Sequence, residues 1–220
     1  MFSYYGTKAR LSRFYPAPKH DVLIEPFAGA AGYACAYSDR EVRLYDANPK
    51  IAAVWDWLIR ATPADVAALP DLETGQSVAA FQQLSDAERW LIGFCINPAS
   101  TCPKVTASKR SAWHRYKVKI CDAVPGIKHW TVTCASWDTI PDMTATWYID
   151  PPYQQAGKYY YGYNGLRFDQ LAVWCRNRSG QVMVCENEGA DWLPFQPLVA
   201  QQGMTKRQVE VIWTPVMDLF

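Results

Sequence analysis

The stretch Ala145–Tyr153, Ala-Thr-Trp-Tyr-Ile-Asp-Pro-Pro-Tyr, predicts a strand that ends abruptly in a stiff turn. β-Branched and aromatic residues favour a strand. Pro151 and Pro152 cannot donate ladder hydrogen bonds, and each disfavours helix in the residue before it, so the strand must stop before them. We therefore expect Asp150 and Tyr153 outside the sheet, at the strand's carboxyl end, where open α/β sheets bind ligands.

The chemistry of this turn suits a planar ring that carries an amino group. The Asp150 carboxylate and the Pro151 carbonyl can accept hydrogen bonds from an exocyclic amine, and neither proline has a competing N–H. Tyr153 can stack on the ring, a contact worth roughly 1–3 kcal/mol per base. Taken alone, the tetrapeptide is equally typical of a strand-ending proline turn with a surface aspartate and a packed tyrosine.

Composition indicates one domain that spans residues 1–220. The chain has 220 residues, of which 50% are hydrophobic, enough for one substantial core with a small insertion. No stretch has the apolar length of a membrane span, and the N-terminus lacks the pattern of a signal peptide. The net charge is only +1, so overall charge does not indicate nucleic acid as a partner.

Seven cysteines are scattered along the chain, an odd number, and no Cys-x-x-Cys occurs. This pattern favours reduced, mostly buried thiols in a cytosolic protein and no zinc site. We predict no metal.

A second candidate loop follows the apolar run near the N-terminus. Asp21–Gly32, Asp-Val-Leu-Ile-Glu-Pro-Phe-Ala-Gly-Ala-Ala-Gly, predicts a strand, a turn of small residues and a helix through Cys35 and Tyr37. Such a turn lets a ligand approach the backbone closely at a helix N-terminus. Glycine and alanine alone are weak evidence of a cofactor.

An acid then ends the next predicted strand. Glu41–Asn48 places Asp46 where a Rossmann-like domain holds the two hydroxyls of a ribose. The alternative is that Asp46 caps the helix expected over Asn48–Ile59. The preceding glycine turn favours the ribose role.

Positive charge is concentrated in one segment. Thr101–Cys121 contains no acid, six lysines and arginines, and interleaved aromatic residues. A capping box at Ser85–Glu88 predicts a helix just before it. The segment suits phosphate contacts and base stacking, with a solvated basic helix as the alternative. The candidate phosphate contacts are Lys109, Arg110, Arg115 and Lys117.

The remaining pattern predicts strands at Trp130–Ala135, Gly180–Asn187 and Gln208–Thr214, a helix at Phe168–Asn177 and a mobile loop at 154–165. Trp137 could line the pocket for a base or could be a buried structural residue. Glu186 and Asn187 end their strand at the same sheet edge as Asp150, where a supporting role is possible.

The Asp150-Pro151-Pro152-Tyr153 motif resembles the catalytic motif of methyltransferases that act on amino groups of nucleic-acid bases, in the form typical of N6-adenine DNA methyltransferases. The chain is similar to the Dam-type branch, in particular the short adenine methylases of phages and prophages. The order of motifs is that of this branch, and the resemblance covers nearly the whole chain.

This resemblance implies a class I methyltransferase fold, which is α/β and Rossmann-like, with a mostly parallel sheet and helices on both faces. It implies S-adenosylmethionine as cofactor, bound by residues that match the family's motifs: Tyr4, Lys8, Glu25, Phe27, Gly29, Asp46, Asn48 and Asp150. The chain departs from the pattern at Thr7 and Ala31, where the family commonly has glycine, and at Ser136, where an acid precedes an aromatic residue.

The implied activity is methyl transfer to adenine N6 in DNA, by base flipping and direct in-line attack, with Asp150, Pro151, Pro152 and Tyr153 as catalytic residues. The implied target-recognition region is the helical basic insertion, approximately residues 81–130, and Trp137 is a further DNA contact. An N4-cytosine DNA methyltransferase or a catalytically inactive DNA-binding relative are the alternatives. The expected setting is the cytoplasm of a bacterial or phage-infected cell. A monomer is favoured, and restriction–modification pairing stays open.

Overall fold

A computed structural model describes residues 1–6, 8, 11–97, 100–155, 166–202 and 207–215, without the side chains of residues 201, 202, 207 and 208. A seven-stranded sheet forms the centre. Its strands are β1 (Val22–Glu25), β2 (Glu41–Asp46), β3 (Thr131–Cys134), β4 (Ala145–Ile149), β5 (Gly180–Asn187), β6 (Gln196–Gln202) and β7 (Arg207–Trp213). The α-helices are α1 (Pro49–Arg60), α2 (Pro63–Ala68), α3 (Asp86–Cys95), α4 (Trp113–Ala123) and α5 (Phe168–Arg176).

The strands are mostly parallel and lie in the order β3-β2-β1-β4-β5-β7-β6. The first five strands in this order are parallel to one another, and β7 is antiparallel to both β5 and β6. The chain runs outward from β1 to β3, then returns to lay β4 on the other side of β1. This reversal is the topological switch point at which doubly wound sheets bind their ligands.

Alternation along the strands gives the sheet two apolar faces. In β4, Trp147 and Ile149 join the buried cluster beneath α5, whereas Tyr148 joins the larger cluster beneath α1, α3 and α4. Because β4 is buried on both faces, its side chains are apolar or aromatic almost without a break, as expected for a central parallel strand. The predicted α/β architecture, a mostly parallel sheet flanked by helices on both faces, is therefore confirmed.

Local signals placed several helices correctly. The Ser85 hydroxyl accepts from the Glu88 N–H while the Glu88 carboxylate accepts from the Ser85 N–H, the capping box predicted at the start of α3. Asn48 caps α1, its side chain accepting from the Lys50 N–H at 3.0 Å. The strand predicted at Gly180–Asn187 is β5, with the same bounds.

A helical region lies directly after α1, between α1 and β3. Residues 61–130 hold α2, α3 and α4, and their buried side chains belong to the same cluster as those of α1. The Trp113 indole of α4 donates to the Pro70 carbonyl at 2.8 Å, which ties α4 to the segment after α2. This region is thus helical, and its buried side chains are continuous with the main core.

Two elements differ from the sequence prediction. The helix expected through Cys35 and Tyr37 is only a short 3-10 turn, Ala34–Tyr37. Strand β6 was not predicted, since Pro197 and three glutamines interrupt its apolar pattern. A proline is tolerated there because β6 is the edge strand of the sheet. Most of the predicted mobile loop, residues 156–165, lies outside the described residues.

No helix in the described part of the chain has the length and apolar character needed to cross a membrane. All seven cysteines are free thiols. Three are buried, three are half-buried and Cys134 is exposed, so fewer are buried than the sequence suggested.

Candidate functional site

The candidate site lies at the switch point, where the carboxyl ends of β1 and β4 are adjacent. Leu23 pairs with Thr146 and Ile24 with Trp147, so the residues that follow the two strands emerge side by side. The loop after β1 and the turn after β4 are the two segments that the sequence singled out. The fold therefore brings both motifs to one edge of the sheet.

The loop after β1 is held by contacts with β2 and α1. The Gly29 N–H donates to an Asp46 carboxylate oxygen at 2.9 Å, and the Gly29 carbonyl accepts from the Trp55 indole at 2.8 Å. Gly29 has φ 45°, and a Cβ there would lie 3.1 Å from the Tyr4 ring. Tyr4 thus lies directly against the glycine backbone, and position 29 requires glycine for both space and conformation.

Ala31 adopts the left-handed conformation that the sequence departure put in question. Its φ is 46°, a region that favours glycine, and its side chain is buried. The loop therefore has the backbone shape of a second glycine although the residue is alanine.

Asp46 organises the loop and retains acceptor capacity. One oxygen accepts from the Gly29 N–H and the other from the Asn48 N–H at 2.8 Å. Each carboxylate oxygen has two lone pairs, so hydroxyl groups can still be bound. Burial raises the pKa of Asp46 to about 6, although both N–H groups oppose the rise. The helix cap is Asn48, so the capping alternative for Asp46 does not apply.

Glu25 and Phe27 are turned into the protein. Glu25 is buried, and its carboxylate accepts from the Ala34 N–H at 2.6 Å, which holds the far end of the loop. Burial raises the pKa of Glu25 to about 8, with the Ala34 N–H opposing. Phe27 is half-buried and packs on the cluster beneath α5. Glu25 therefore shapes the loop after β1 from within.

The N-terminal segment is fixed over this loop by aromatic packing. Phe2 lies between Trp55 and Phe94, with both ring centroids 5.6 Å away. The Tyr4 ring meets Phe94 edge-on at 5.7 Å, and its hydroxyl hydrogen-bonds the side chain of Asn48, which is itself buried.

A buried cluster of charged groups lies beside the turn after β4. Carboxylate oxygens of Asp150 and Glu210 and the Cys185 sulfur lie within 4.8 Å of one another. The Lys8 ammonium forms an ion pair with Glu210 at 3.0 Å and lies 4.5 Å above the Tyr153 ring. The Lys8 ammonium thus supplies a positive charge to this cluster.

The charges perturb one another. Burial raises the pKa of Asp150 to about 6; the Lys8 ammonium opposes the rise and Glu210 adds to it. Burial alone would lower the pKa of Lys8, but the charges of Asp150 and Glu210 outweigh it, and the pKa is raised. The cluster therefore holds two carboxyl groups for one ammonium, and Asp150 is the half-buried member nearest the outside.

Tyr153 does not stand free as the sequence suggested. It is only 4% exposed, and its hydroxyl donates to Glu210 at 2.6 Å. The reason is that Glu210, in β7, accepts from the Tyr153 hydroxyl, a pairing that the sequence around Tyr153 does not reveal. Pro151 is buried and Pro152 half-buried, so of the four motif residues Asp150 and Pro152 are the most accessible.

Glu186 holds the chain as it leaves the turn. Its carboxylate accepts from the Gln154 N–H at 2.6 Å, from the Asn187 N–H at 2.8 Å and from the Trp192 indole at 3.3 Å. Burial raises the pKa of Glu186. The supporting role considered for Glu186 thus has a structural basis: it fixes the backbone next to Tyr153.

The candidate DNA contacts divide into two groups. Lys109, Arg110 and Arg115 are exposed. Lys117 is not free for phosphate, because its ammonium donates to the Leu69 carbonyl at 2.5 Å and lies 3.4 Å from Asp71.

Trp137 likewise has a structural environment, distinct from the cluster around Asp150. Its ring meets Trp174 of α5 edge-on at 5.5 Å, and Trp174 in turn meets Trp147 at 5.6 Å. The structural alternative considered for Trp137 is the one that the packing supports.

Sequence reasoning missed Glu210, Tyr15 and Trp55 as parts of the site. Tyr15 donates to the same Glu210 oxygen as Tyr153, also at 2.6 Å. A lone glutamate among the apolar residues of Gln208–Trp213 was the available signal, since charges are rarely buried in a strand without a partner.

No protein-family model and no curated protein matches the chain. Among solved structures, the chain is similar to a protein described as a conserved hypothetical protein from Streptococcus pyogenes. That similarity has a TM-score of 0.40 and 12% identity, and covers 93% of this chain and 91% of the other. A likeness at this level assigns neither a family nor an activity.

Proposed function

We propose that this protein transfers a methyl group from S-adenosylmethionine to the N6 amino group of adenine in DNA, with a class I methyltransferase fold. The observation that carries the proposal is the position of the Asp150–Tyr153 turn. It lies at the topological switch point, directly beside the glycine loop after β1. A ring amine held at Asp150 would therefore lie next to a ligand bound at that loop.

The groups around the loop fit the cofactor. Asp46, at the end of β2, offers free lone pairs for the ribose hydroxyls, and the left-handed turns at Gly29 and Ala31 keep the backbone compact. Tyr4 provides an apolar wall against Gly29. When bound, S-adenosylmethionine supplies a methyl group on a positively charged sulfur.

Lys8 takes a different role from the one that the family pattern implies. Its ammonium is paired with Glu210 and faces Asp150, so it serves the catalytic turn as well as the cofactor segment.

Asp150 and the Pro151 carbonyl would orient the target amine. Above about pH 6, Asp150 is ionised and accepts an N6 proton in a hydrogen bond, which raises electron density on the nitrogen. The half-buried setting strengthens that bond relative to water. As the N6–methyl bond forms, the bond between the methyl carbon and sulfur would break, its electron pair staying on sulfur, and the surplus N6 proton would pass to solvent. Asp150 then acts by positioning and electrostatics.

Stacking by Tyr153 requires the ring to become accessible when DNA binds, because it is 4% exposed here. A few kcal/mol are needed to flip a base from the duplex, and stacking recovers part of that cost. Exposed Lys109, Arg110 and Arg115 are the proposed phosphate contacts of the target-recognition region. Trp137 and Lys117 are not among the proposed DNA contacts, because Trp137 packs on Trp174 and Lys117 is bound to the Leu69 carbonyl.

The test is transfer of labelled methyl from S-adenosylmethionine to unmethylated plasmid DNA, followed by digestion to nucleosides. We expect label in N6-methyladenine. Label in N4-methylcytosine would replace adenine with cytosine as the target. Absence of label in any base, with S-adenosylmethionine still bound in calorimetry, would refute DNA methylation. Absence of cofactor binding would indicate a DNA-binding protein without catalysis. The expected site of action is the cytoplasm of a bacterial or phage-infected cell.

A further inference from the structure

Glu210 joins three segments that are far apart in the sequence. One carboxylate oxygen accepts from the hydroxyls of Tyr15 and Tyr153, each at 2.6 Å, and the other is 3.0 Å from the Lys8 ammonium. Glu210 is only 6% exposed. Its partners lie 202, 195 and 57 residues away along the chain. Moving a carboxylate out of water is costly, so a buried one needs donors that satisfy it. The three donors therefore fix the position of the Glu210 carboxylate.

Lys8 forms its ion pair with Glu210. Within the described part of the chain, Lys8 and Asp150 do not form an ion pair. Asp150 nevertheless lies in the same cluster, within 4.8 Å of Glu210. Two carboxyl groups thus compete for one ammonium. The competition decides whether the Asp150 oxygens are free to accept a hydrogen bond from a substrate amine.

We infer that Glu210 is a positioning residue for the proposed reaction: its charge holds the Lys8 ammonium in a direct ion pair, so that Lys8 faces Asp150 without pairing with it and the Asp150 carboxylate can accept from the target amine. The inference rests on the proposed function. It extends that function to a residue in β7 that no motif contains. Glu210 acts through Lys8 and Tyr153 and need not touch the substrate.

The groups that face Asp150 come from every neighbouring element. They are Lys8 and Tyr15 from the N-terminal segment, Glu25 from β1, Tyr148 from β4, Tyr153 from the turn, Cys185 and Glu186 from β5, and Glu210 from β7. Of these groups, Lys8 carries the positive charge, and Glu210 is the carboxyl group that forms an ion pair with it. Loss of the Glu210 charge therefore leaves Lys8 to Asp150, which lowers the pKa of Asp150.

Two variants separate charge from shape. Glu210→Gln preserves the shape and the acceptor for the two tyrosines but removes the charge. Glu210→Asp preserves the charge in a shorter side chain. We expect Glu210→Gln to lower kcat at pH 8 by about ten-fold, with the acid limb of the pH–rate profile moved to lower pH. We expect Glu210→Asp to leave that limb in place. If Glu210 were only structural, Glu210→Gln, which keeps the shape of the side chain, would lose less activity than Glu210→Asp.

A second measurement does not depend on activity. Carboxyl ¹³C NMR of aspartate-labelled protein, with Asp150→Asn to assign the signal, follows the titration of Asp150 directly. The Asp150 midpoint should fall in Glu210→Gln and stay in Glu210→Asp. Unchanged midpoints in both variants would overturn the inference, as would a kcat loss without a shift. If the wild type methylates no base while the midpoint still falls, the proposed function fails and the charge coupling stands.

Discussion

Replacing Asp150 with asparagine is expected to stabilise the fold and to abolish methyl transfer. The pKa of Asp150 is raised from 3.8 to about 6. An acid whose pKa is raised by folding binds its proton more tightly in the native state, so stability is lost as pH rises from about 4 to about 6. Above that range the full cost remains, about 3 kcal/mol as an upper bound at 1.36 kcal/mol per pKa unit.

Asparagine cannot ionise, so Asp150→Asn avoids this cost. Its amide needs new hydrogen-bond partners, which takes back about 1–2 kcal/mol. The pH dependence is the sharper quantity, because the amide cost does not change with pH. From the two pKa values, the stability gap between variant and wild type should widen by about 1.4 kcal/mol between about pH 5 and pH 8.

The assay is urea unfolding at both pH values, for wild type, Asp150→Asn and the control Asp138→Asn. Asp138 is exposed, and its variant should track the wild type at both pH values. Transfer by Asp150→Asn should fall by at least about 100-fold, the scale of losing one oriented polar group in an active site. A gap that is constant or that narrows toward high pH would refute the electrostatic account of Asp150, and wild-type-like transfer would refute its catalytic role.

Three further outcomes follow from single features. Methyl transfer should rise with pH through about 6, as Asp150 ionises, and a flat pH–rate profile across that range would contradict its role as a charged acceptor. Ala31→Gly should be neutral to stabilising by about 1 kcal/mol in thermal unfolding, since relief of the positive φ, about 1–2 kcal/mol, offsets the added freedom of glycine; the control Ala30→Gly, without that φ, should destabilise. Arg115→Met should lower the slope of log affinity for DNA against log salt by about 0.9 without loss of stability. Lys117→Met should leave that salt slope unchanged and should lower stability, because the Lys117 ammonium is bound to the Leu69 carbonyl.

The sequence predicted the features that depend on neighbouring residues. The strand that stops at two prolines, the capping box of α3 and the small-residue loop after β1 are local, so composition and spacing reveal them. Because parallel strands expose their carboxyl ends at one edge, the two motifs could also be expected to meet there. The edge strand β6 was not predictable in this way, since its proline and glutamines satisfy the rules for a loop as well.

The rest of the site depends on partners that are distant in the chain. The buried Tyr153 hydroxyl is bound by Glu210. The Lys117 ammonium, a candidate phosphate contact, is bound instead by a carbonyl 48 residues away. The pattern around Glu210 marks a buried charge but does not show which residues bind it, and the Leu69 carbonyl has no local signature. A basic run identifies charge but does not show which ammonium groups the protein uses internally. The sequence therefore shows where the aromatic and basic residues are, but it does not show which of them contact a ligand and which pack inside the protein.

The charge cluster is difficult to explain as a device for stability. Two carboxyl groups share one ammonium in a buried setting, and replacing either acid with an amide would relieve the excess charge. Lys8 and Glu210 come from near the two ends of the chain, so their ion pair closes the N-terminal segment and β7 around the turn after β4. The same pairing leaves Asp150 without a salt-bridge partner among the described residues. A half-buried acid whose pKa is raised by burial at a switch point is the arrangement expected of the proposed amine-binding site.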